Sequence, residues 1–114
     1  MYKASILYHR PADERAFDDY YWNVHVPIAS RMKGIKRWTI TKLEGAHPGA
    51  DVPYYLLVEL YADNRDDLFA ILESAEGLQS ADDVRTFADG AVTHMYGEEQ
   101  IIGSESRNES GLTT

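Results

Sequence analysis

Residues 54–62, YYLLVELYA, carry the strongest strand pattern of this chain. Successive side chains of an extended strand point to opposite faces, so the segment splits into two sets. The two sets are Tyr55, Leu57, Glu59, Tyr61 and Tyr54, Leu56, Val58, Leu60. Both are mainly apolar, which makes this segment the clearest strand candidate of the chain and requires a cover for both faces of its sheet.

The segments on either side change between the strand period and the helix period. Alternation typical of strands recurs in residues 2–8, 35–45 and 91–97, and helical spacing occurs in residues 16–32, 65–74 and 78–90. Gly77 separates the last two helical segments, and residues 46–53 read as a loop. The order β-α-β-β-α-β is typical of the ferredoxin-like α+β fold, in which the helices cover one face of an antiparallel sheet.

The second face of the sheet requires a cover of its own. Tyr, Trp, Leu and Met side chains on the predicted strands make that face too apolar for water. A second copy of the chain is the simplest cover, and we therefore expect a homodimer in the form of a dimeric α+β barrel. Each sheet then keeps room for a ligand cavity between itself and its own helices.

Residues 16–32 contain the most unusual composition of the chain. A stripe at helical spacing predicts the face that packs on the sheet: Phe17, Tyr20, Tyr21, Val24 and Ile28. Pro27 cannot donate a backbone hydrogen bond and disfavours helical geometry at the residue before it. We therefore expect a kink or break near residues 24–27.

Bulk composition narrows the class of protein. A formal charge of -8 over 114 residues argues against nucleic acid and against an anionic membrane surface. No apolar run is long enough for a transmembrane helix, there is no cysteine, and no signal-peptide pattern occurs. We expect a cytoplasmic protein with one domain in residues 1–102 and a polar, disordered tail in residues 103–114.

His25 is the first candidate for chemistry. The helical spacing places it at the edge of the stripe, where a neutral imidazole could act as an acid or a base. Tyr21 lies one turn earlier and could orient the imidazole or donate to a substrate oxygen. Both residues also have structural readings, since His25 could satisfy carbonyl groups freed by Pro27 and Tyr21 could be ordinary core.

Two further titratable residues fall on predicted strands. Glu59 shares a face with tyrosine and leucine, so it is either a functional carboxylate or solvated at a dimer edge beside Lys36 or Arg37. His94 alternates with Val92 and Tyr96 and could reach the same pocket as His25. Two histidines and Glu59 are suitable metal ligands, but the spacing matches no metal motif. No nucleotide motif occurs either, so we expect neither a metal nor a cofactor.

The remaining aromatic candidates are predicted to contact a ligand. Tyr20 and Trp22 point to different sides of the helix, so one of them should face a ligand or a partner subunit. Trp38 and Tyr55 belong to the neighbouring strands, and the Tyr55 hydroxyl could bind a substrate oxygen.

The segment AFDDYYWNVHVPIA resembles the F-x-x-Y-Y-x-x-x-H-x-P-[LI]-A pattern of EthD-like proteins. The second half of the chain is also similar to that family, in its paired tyrosines before a strand and its Ser-x-Glu-Gly between helices. The resemblance covers residues 2–102 and carries over Tyr20, Tyr21, His25 and Pro27. His94 departs from the more usual aliphatic residue at its position.

The resemblance implies a dimeric α+β barrel and an association with the degradation of ethers or other small organic compounds. One hypothesis is a cofactor-free enzyme of dehydratase, isomerase or oxygenase type, acting on a small apolar or aromatic ligand through His25. The other is a non-catalytic binding or accessory protein that meets an oxygenase component. The fold alone does not choose between them.

Overall fold

The structure, a computed structural model, describes residues 1–45, 47, 49 and 52–103. Its strands are β1 (Tyr2–His9), β2 (Arg37–Lys42), β3 (Tyr54–Ala62) and β4 (Val92–Glu98). Its helical segments are α1 (Glu14–Tyr20), a π-helical turn (Tyr21–His25), α2 (Val26–Ala29), α3 (Arg65–Leu72) and α4 (Ala75–Ala88). Ala46, Pro48, Ala50 and Asp51 of the predicted loop and residues 104–114 of the predicted tail lie outside the described residues.

The four strands form one antiparallel sheet in the order β2-β3-β1-β4. This is the strand order that the β-α-β-β-α-β pattern predicts, and the predicted ferredoxin-like α+β fold is confirmed. Strand β3 lies between β1 and β2, as its two apolar faces indicate. No helix in the described ranges is both long enough and apolar enough to cross a membrane.

The helices cover the face of the sheet that carries Ala4, Tyr8, Val58 and Leu60, all of which are buried. Cross-strand register continues this face onto both edge strands, since Val58 pairs with Ile6 and with Ile40, and Ile6 pairs with His94. The core therefore lies between this face and the helices, and His94 is placed at its β4 margin.

The opposite face is less apolar than the sequence suggests. Trp38 belongs to the helix-covered face, and the open face carries the cross-strand pair Leu7 and Leu57 among polar neighbours. Lys3 Nζ lies 2.6 Å from Glu59 Oε2 on this face. The apolar area that a partner could cover is thus centred on a few leucine and methionine side chains.

The chain does not leave the helix near Pro27, so of the predicted kink or break the break is wrong. Val26 keeps right-handed helical geometry, with φ -57° and ψ -45°, and its N–H donates to the Tyr21 carbonyl five residues back. That bond closes a π-helical turn, and Pro27 then falls in the first turn of α2, where its missing N–H costs least. The chain accommodates the proline by changing its helical register without leaving the helix.

The π-helical turn also corrects the predicted stripe. In an α-helix, a step of four residues turns about 40° beyond one full turn. Positions spaced by four should therefore drift away from the core. The wider turn removes that drift, and the buried positions are Phe17, Tyr21, His25 and Ala29. Val24, predicted to be core, is 37% exposed.

The second helical region begins earlier than its sequence suggests. Helix α4 starts at Ala75, with the Ser74 side chain accepting from Gly77 N–H, so Gly77 lies inside the first turn instead of between helices. This shift rotates Leu78 outward, where it is 54% exposed, and leaves Ser80 and Val84 on the buried side.

Candidate functional site

A cavity of about 190 Å³ lies between the helix-covered face of the sheet and the helices. Strands β1, β2, β3 and β4 supply one wall, and the π-helical turn, α2 and α4 supply the other. Most of its lining is aliphatic or aromatic carbon. The side chains that bring polar atoms to it are Tyr8, Tyr21, His25, Trp38, Ser80, His94 and Tyr96.

His25 is positioned by the π-helical turn and by a carboxylate from α4. The residue is 4% exposed, and Nδ1 lies 2.9 Å from Asp83 Oδ2. A carboxylate can only accept, so Nδ1 carries the proton and the neutral ring presents Nε2 as an acceptor. Tyr20 donates its hydroxyl to Asp83 Oδ1 at 2.6 Å, which holds the carboxylate in place.

The environment of His25 favours the neutral imidazole. Burial lowers the pKa of His25 below its ordinary value, and the hydrogen bond and charge of Asp83 oppose that change. The ring is therefore uncharged at neutral pH, with a carboxylate ready to stabilise the imidazolium that forms when Nε2 takes a proton. This arrangement suits a general base.

Tyr21 and Trp38 form a second polar group of the cavity wall. Burial raises the pKa of the Tyr21 phenol well above its ordinary value, and the indole of Trp38 has the opposite, smaller effect. Tyr21 therefore keeps its proton at neutral pH and is a hydrogen-bond donor. The aromatic ring of Tyr21 also lies 5.4 Å from the His25 ring.

His94 reaches the cavity from the edge strand β4. It pairs with Ile6 across the sheet and is exposed at the margin of the cavity, where partial burial of the ring lowers the pKa of His94 below its ordinary value. Of the residues singled out from the sequence, the structure thus brings four to this cavity: Tyr21, His25, Trp38 and His94.

Four other predicted ligand-binding residues lie outside the cavity wall. Tyr20 turns its hydroxyl to Asp83, and Trp22 is 53% exposed on the outer side of the helix. Tyr55 packs on Phe17 and donates to Asp18 Oδ1 at 2.7 Å. Ligand binding by these residues stays a prediction, and they do not line this cavity.

Glu59, the fourth of these residues, lies on the open face of the sheet and pairs with Lys3. It therefore stands on the opposite side of the sheet from the two histidines, which removes the set of metal ligands considered from the sequence. Within the part of the chain that the structure describes, no three His, Cys, Asp or Glu side chains are grouped so that they could hold a metal ion.

Asp83 and Ser80 are site residues that the sequence reasoning missed. Asp83 follows Asp82 in a helix rich in acids, which makes it resemble a solvated surface residue. The available signal is its spacing, because Ser80, Asp83, Val84 and Phe87 share one helical face at i, i+3, i+4 and i+7. A carboxylate on that apolar face indicates a partner that is itself buried.

Comparisons with known proteins find relatives over most of this chain. The family model of the EthD domain matches residues 9–91. An uncharacterized 11.0 kDa protein in the thcB-thcC intergenic region of Rhodococcus erythropolis is 35% identical over 105 residues, which cover 90% of this chain and 98% of that protein.

Solved structures show the same relationship. The crystal structure of an ethyl tert-butyl ether (EthD) family protein from Bacillus halodurans has a TM-score of 0.82 and 34% identity, covering 88% of this chain and 99% of that one. An EthD-like protein from Ralstonia eutropha has a TM-score of 0.68 and 20% identity over 90% of this chain and 95% of that one, a similarity of fold alone.

Proposed function

This chain belongs to the EthD family, and on that premise we propose that it binds a small apolar or aromatic compound in its cavity and moves a proton there without a cofactor. His25 is the proposed base, acting through Nε2. The reaction class is that of a lyase, an isomerase or a monooxygenase in which proton removal starts the chemistry.

The observation that carries this proposal is the 2.9 Å contact between Nδ1 of His25, which lines the cavity, and Oδ2 of Asp83, which lies behind it. The contact sets the tautomer of a buried imidazole and stabilises its charged form. A histidine that served only in packing would not require a hydrogen bond to a buried carboxylate. This carboxylate is in addition held in place by a hydrogen bond from Tyr20.

The size of the cavity limits the ligand. Its volume of about 190 Å³ is below the roughly 300–1,000 Å³ of sites for drug-sized ligands. A mono- or bicyclic compound with few polar atoms fits this space and its apolar lining. Such compounds include those that arise in the degradation of ethers and other small organic molecules, and we place the protein in that kind of metabolism, in the cytoplasm.

The open face of the sheet supports a homodimer as part of the same proposal. Leu7 and Leu57 lie opposite each other on neighbouring strands of that face, and Met95 is exposed beside them. Pairing two such faces would bury these side chains and would leave both cavities with their own helices.

Deuterium exchange tests the proton transfer. The protein is incubated in D₂O with 2-indanone, a small ketone with acidic C–H groups, and exchange at those carbons is followed by NMR. We expect exchange above the buffer rate, and we expect the variant His25→Gln to reduce it by about 100-fold or more. The variant His9→Gln changes a histidine outside the cavity wall and should keep the parent rate.

Two results would contradict the proposal. Equal exchange by His25→Gln and the parent would exclude His25 as the base. Tight binding without exchange, across ketones, phenols and ethers, would instead favour a non-catalytic binding or accessory protein, such as one that supports an oxygenase component.

A further inference from the structure

The indole N–H of Trp38 is a buried donor without an acceptor. Among the residues that the structure describes, Nε1 of Trp38 is the one buried side-chain nitrogen or oxygen that finds no hydrogen-bond partner. Buried polar groups in folded proteins are nearly always paired, because an unpaired donor is costly. Trp38 also lines the cavity, so an acceptor inside the cavity is the natural candidate.

Tyr21 stands beside this donor. Its hydroxyl is close enough to the indole for Trp38 to lower the pKa of the phenol, yet no hydrogen bond of normal geometry joins the two groups. The phenol stays protonated at neutral pH because burial outweighs that effect. One part of the cavity wall therefore carries two neighbouring donors, one from indole and one from phenol.

We infer that the cavity selects a ligand that carries one accepting oxygen, in the form of a small carbonyl compound, and that this oxygen accepts from Trp38 Nε1–H and from the Tyr21 hydroxyl. The inference rests on the proposed function and names the ligand class of the same site. Indole can only donate, so it recognises a carbonyl oxygen and gives nothing to a hydrocarbon of the same shape.

The assignment agrees with the base on the same cavity. When His25 Nε2 takes a proton from the carbon next to the carbonyl, the electron pair of the broken C–H bond forms a C=C bond, and the π pair of the C=O bond moves to the oxygen to give an enolate. Two donors directed at that oxygen stabilise the charge as it develops, in a site shielded from water. Trp38 and Tyr21 thus bind the oxygen, and His25 removes the proton from the neighbouring carbon.

The test compares two ligands of the same shape on two proteins. Indane and 2-indanone share one bicyclic frame and differ in the carbonyl group, and Trp38→Phe keeps an aromatic ring while it removes the N–H. Dissociation constants are measured by calorimetric titration. We expect Trp38→Phe to weaken the binding of 2-indanone about tenfold and to change the binding of indane by less than a factor of two.

The variant Tyr21→Phe provides a second measurement, which does not depend on whether Trp38→Phe folds. It should also weaken the binding of 2-indanone selectively, relative to the binding of indane. In the ligand-free protein Trp38→Phe should unfold at a temperature within a few degrees of the parent, because the lost N–H has no protein partner.

Several outcomes would overturn the inference. These are equal losses for both ligands in Trp38→Phe, a preference for 2-indanone that survives both variants, and a parent protein that does not bind 2-indanone. The result is separable from the proton-transfer test, since His25→Gln can abolish exchange while binding of the ketone still depends on Trp38, and the reverse can also occur.

Discussion

Asp83 Oδ2 lies 2.9 Å from His25 Nδ1, although 58 positions separate the two residues in the sequence. The contact joins the π-helical turn to α4 and is nearly closed to solvent, with side-chain exposures of 10% and 5%. It gives a buried histidine of the cavity wall a defined tautomer with Nε2 as an acceptor, and it is the relationship on which the proposed chemistry depends.

Asp83→Asn should slow deuterium exchange into 2-indanone by about 100-fold. Tyr20 donates to one oxygen of Asp83, so the amide of asparagine would turn its NH₂ toward Nδ1 and move the imidazole proton to Nε2. Asp82→Asn is the matched control, since Asp82 is exposed and pairs with Arg85. Equal rates in the two variants would show that Asp83 does not position the base.

Stability should fall as the pH is lowered from 7.5 to 5.5. Burial lowers the pKa of both His25 and His94 in the folded chain, so the unfolded chain binds more protons once the pH drops below about 6.5. The free energy of unfolding therefore decreases through this window, above the range in which carboxylates titrate.

Urea denaturation at the two pH values measures this loss. His94→Gln removes one of the two titrating groups and should lose less stability than the parent over the same interval. His9→Gln is the comparison variant. An unchanged pH dependence in His94→Gln would mean that His94 is not shielded in the folded protein.

Gly77→Ala should destabilise the fold by about 2–3 kcal/mol. A Cβ at this position would lie 2.4 Å from the carbonyl oxygens of Ile71 and Leu72, which are backbone atoms that cannot move alone. Gly103→Ala meets no atom within 4 Å and should leave stability unchanged. Thermal unfolding of the two variants checks the difference, and a Gly77→Ala melting temperature equal to that of the parent would refute the close approach of α3 and α4.

Leu57→Lys should convert a dimer into a monomer. Leu57 lies at the centre of the open face, opposite Leu7, where a charged side chain in a sheet-to-sheet interface would lose its hydration. Leu78→Lys changes an exposed leucine on α4 and should keep the parent mass. Light scattering measures the molecular mass of both variants, and a parent that is already monomeric would contradict the proposed assembly.

The order of elements could be read from the sequence because each strand and helix carries its own periodicity. Strand β3 is the clearest example, with apolar residues on both faces that require a central position in the sheet. The prediction for the helix near Pro27 fails because it assumes a single α-helical period throughout. A π-helical turn changes the period for one turn only, and no local propensity marks it.

The sequence by itself determined the β-α-β-β-α-β order, the family and the choice of Tyr21 and His25 as candidates, since these depend on local patterns and on a motif of neighbouring residues. Only the tertiary structure decided that Asp83 and Tyr20 hold His25, that Trp38 is a buried donor of the cavity, and that Glu59 lies on the other side of the sheet. These are contacts between distant segments, and they depend on the helical register and on the cross-strand pairing of the folded chain.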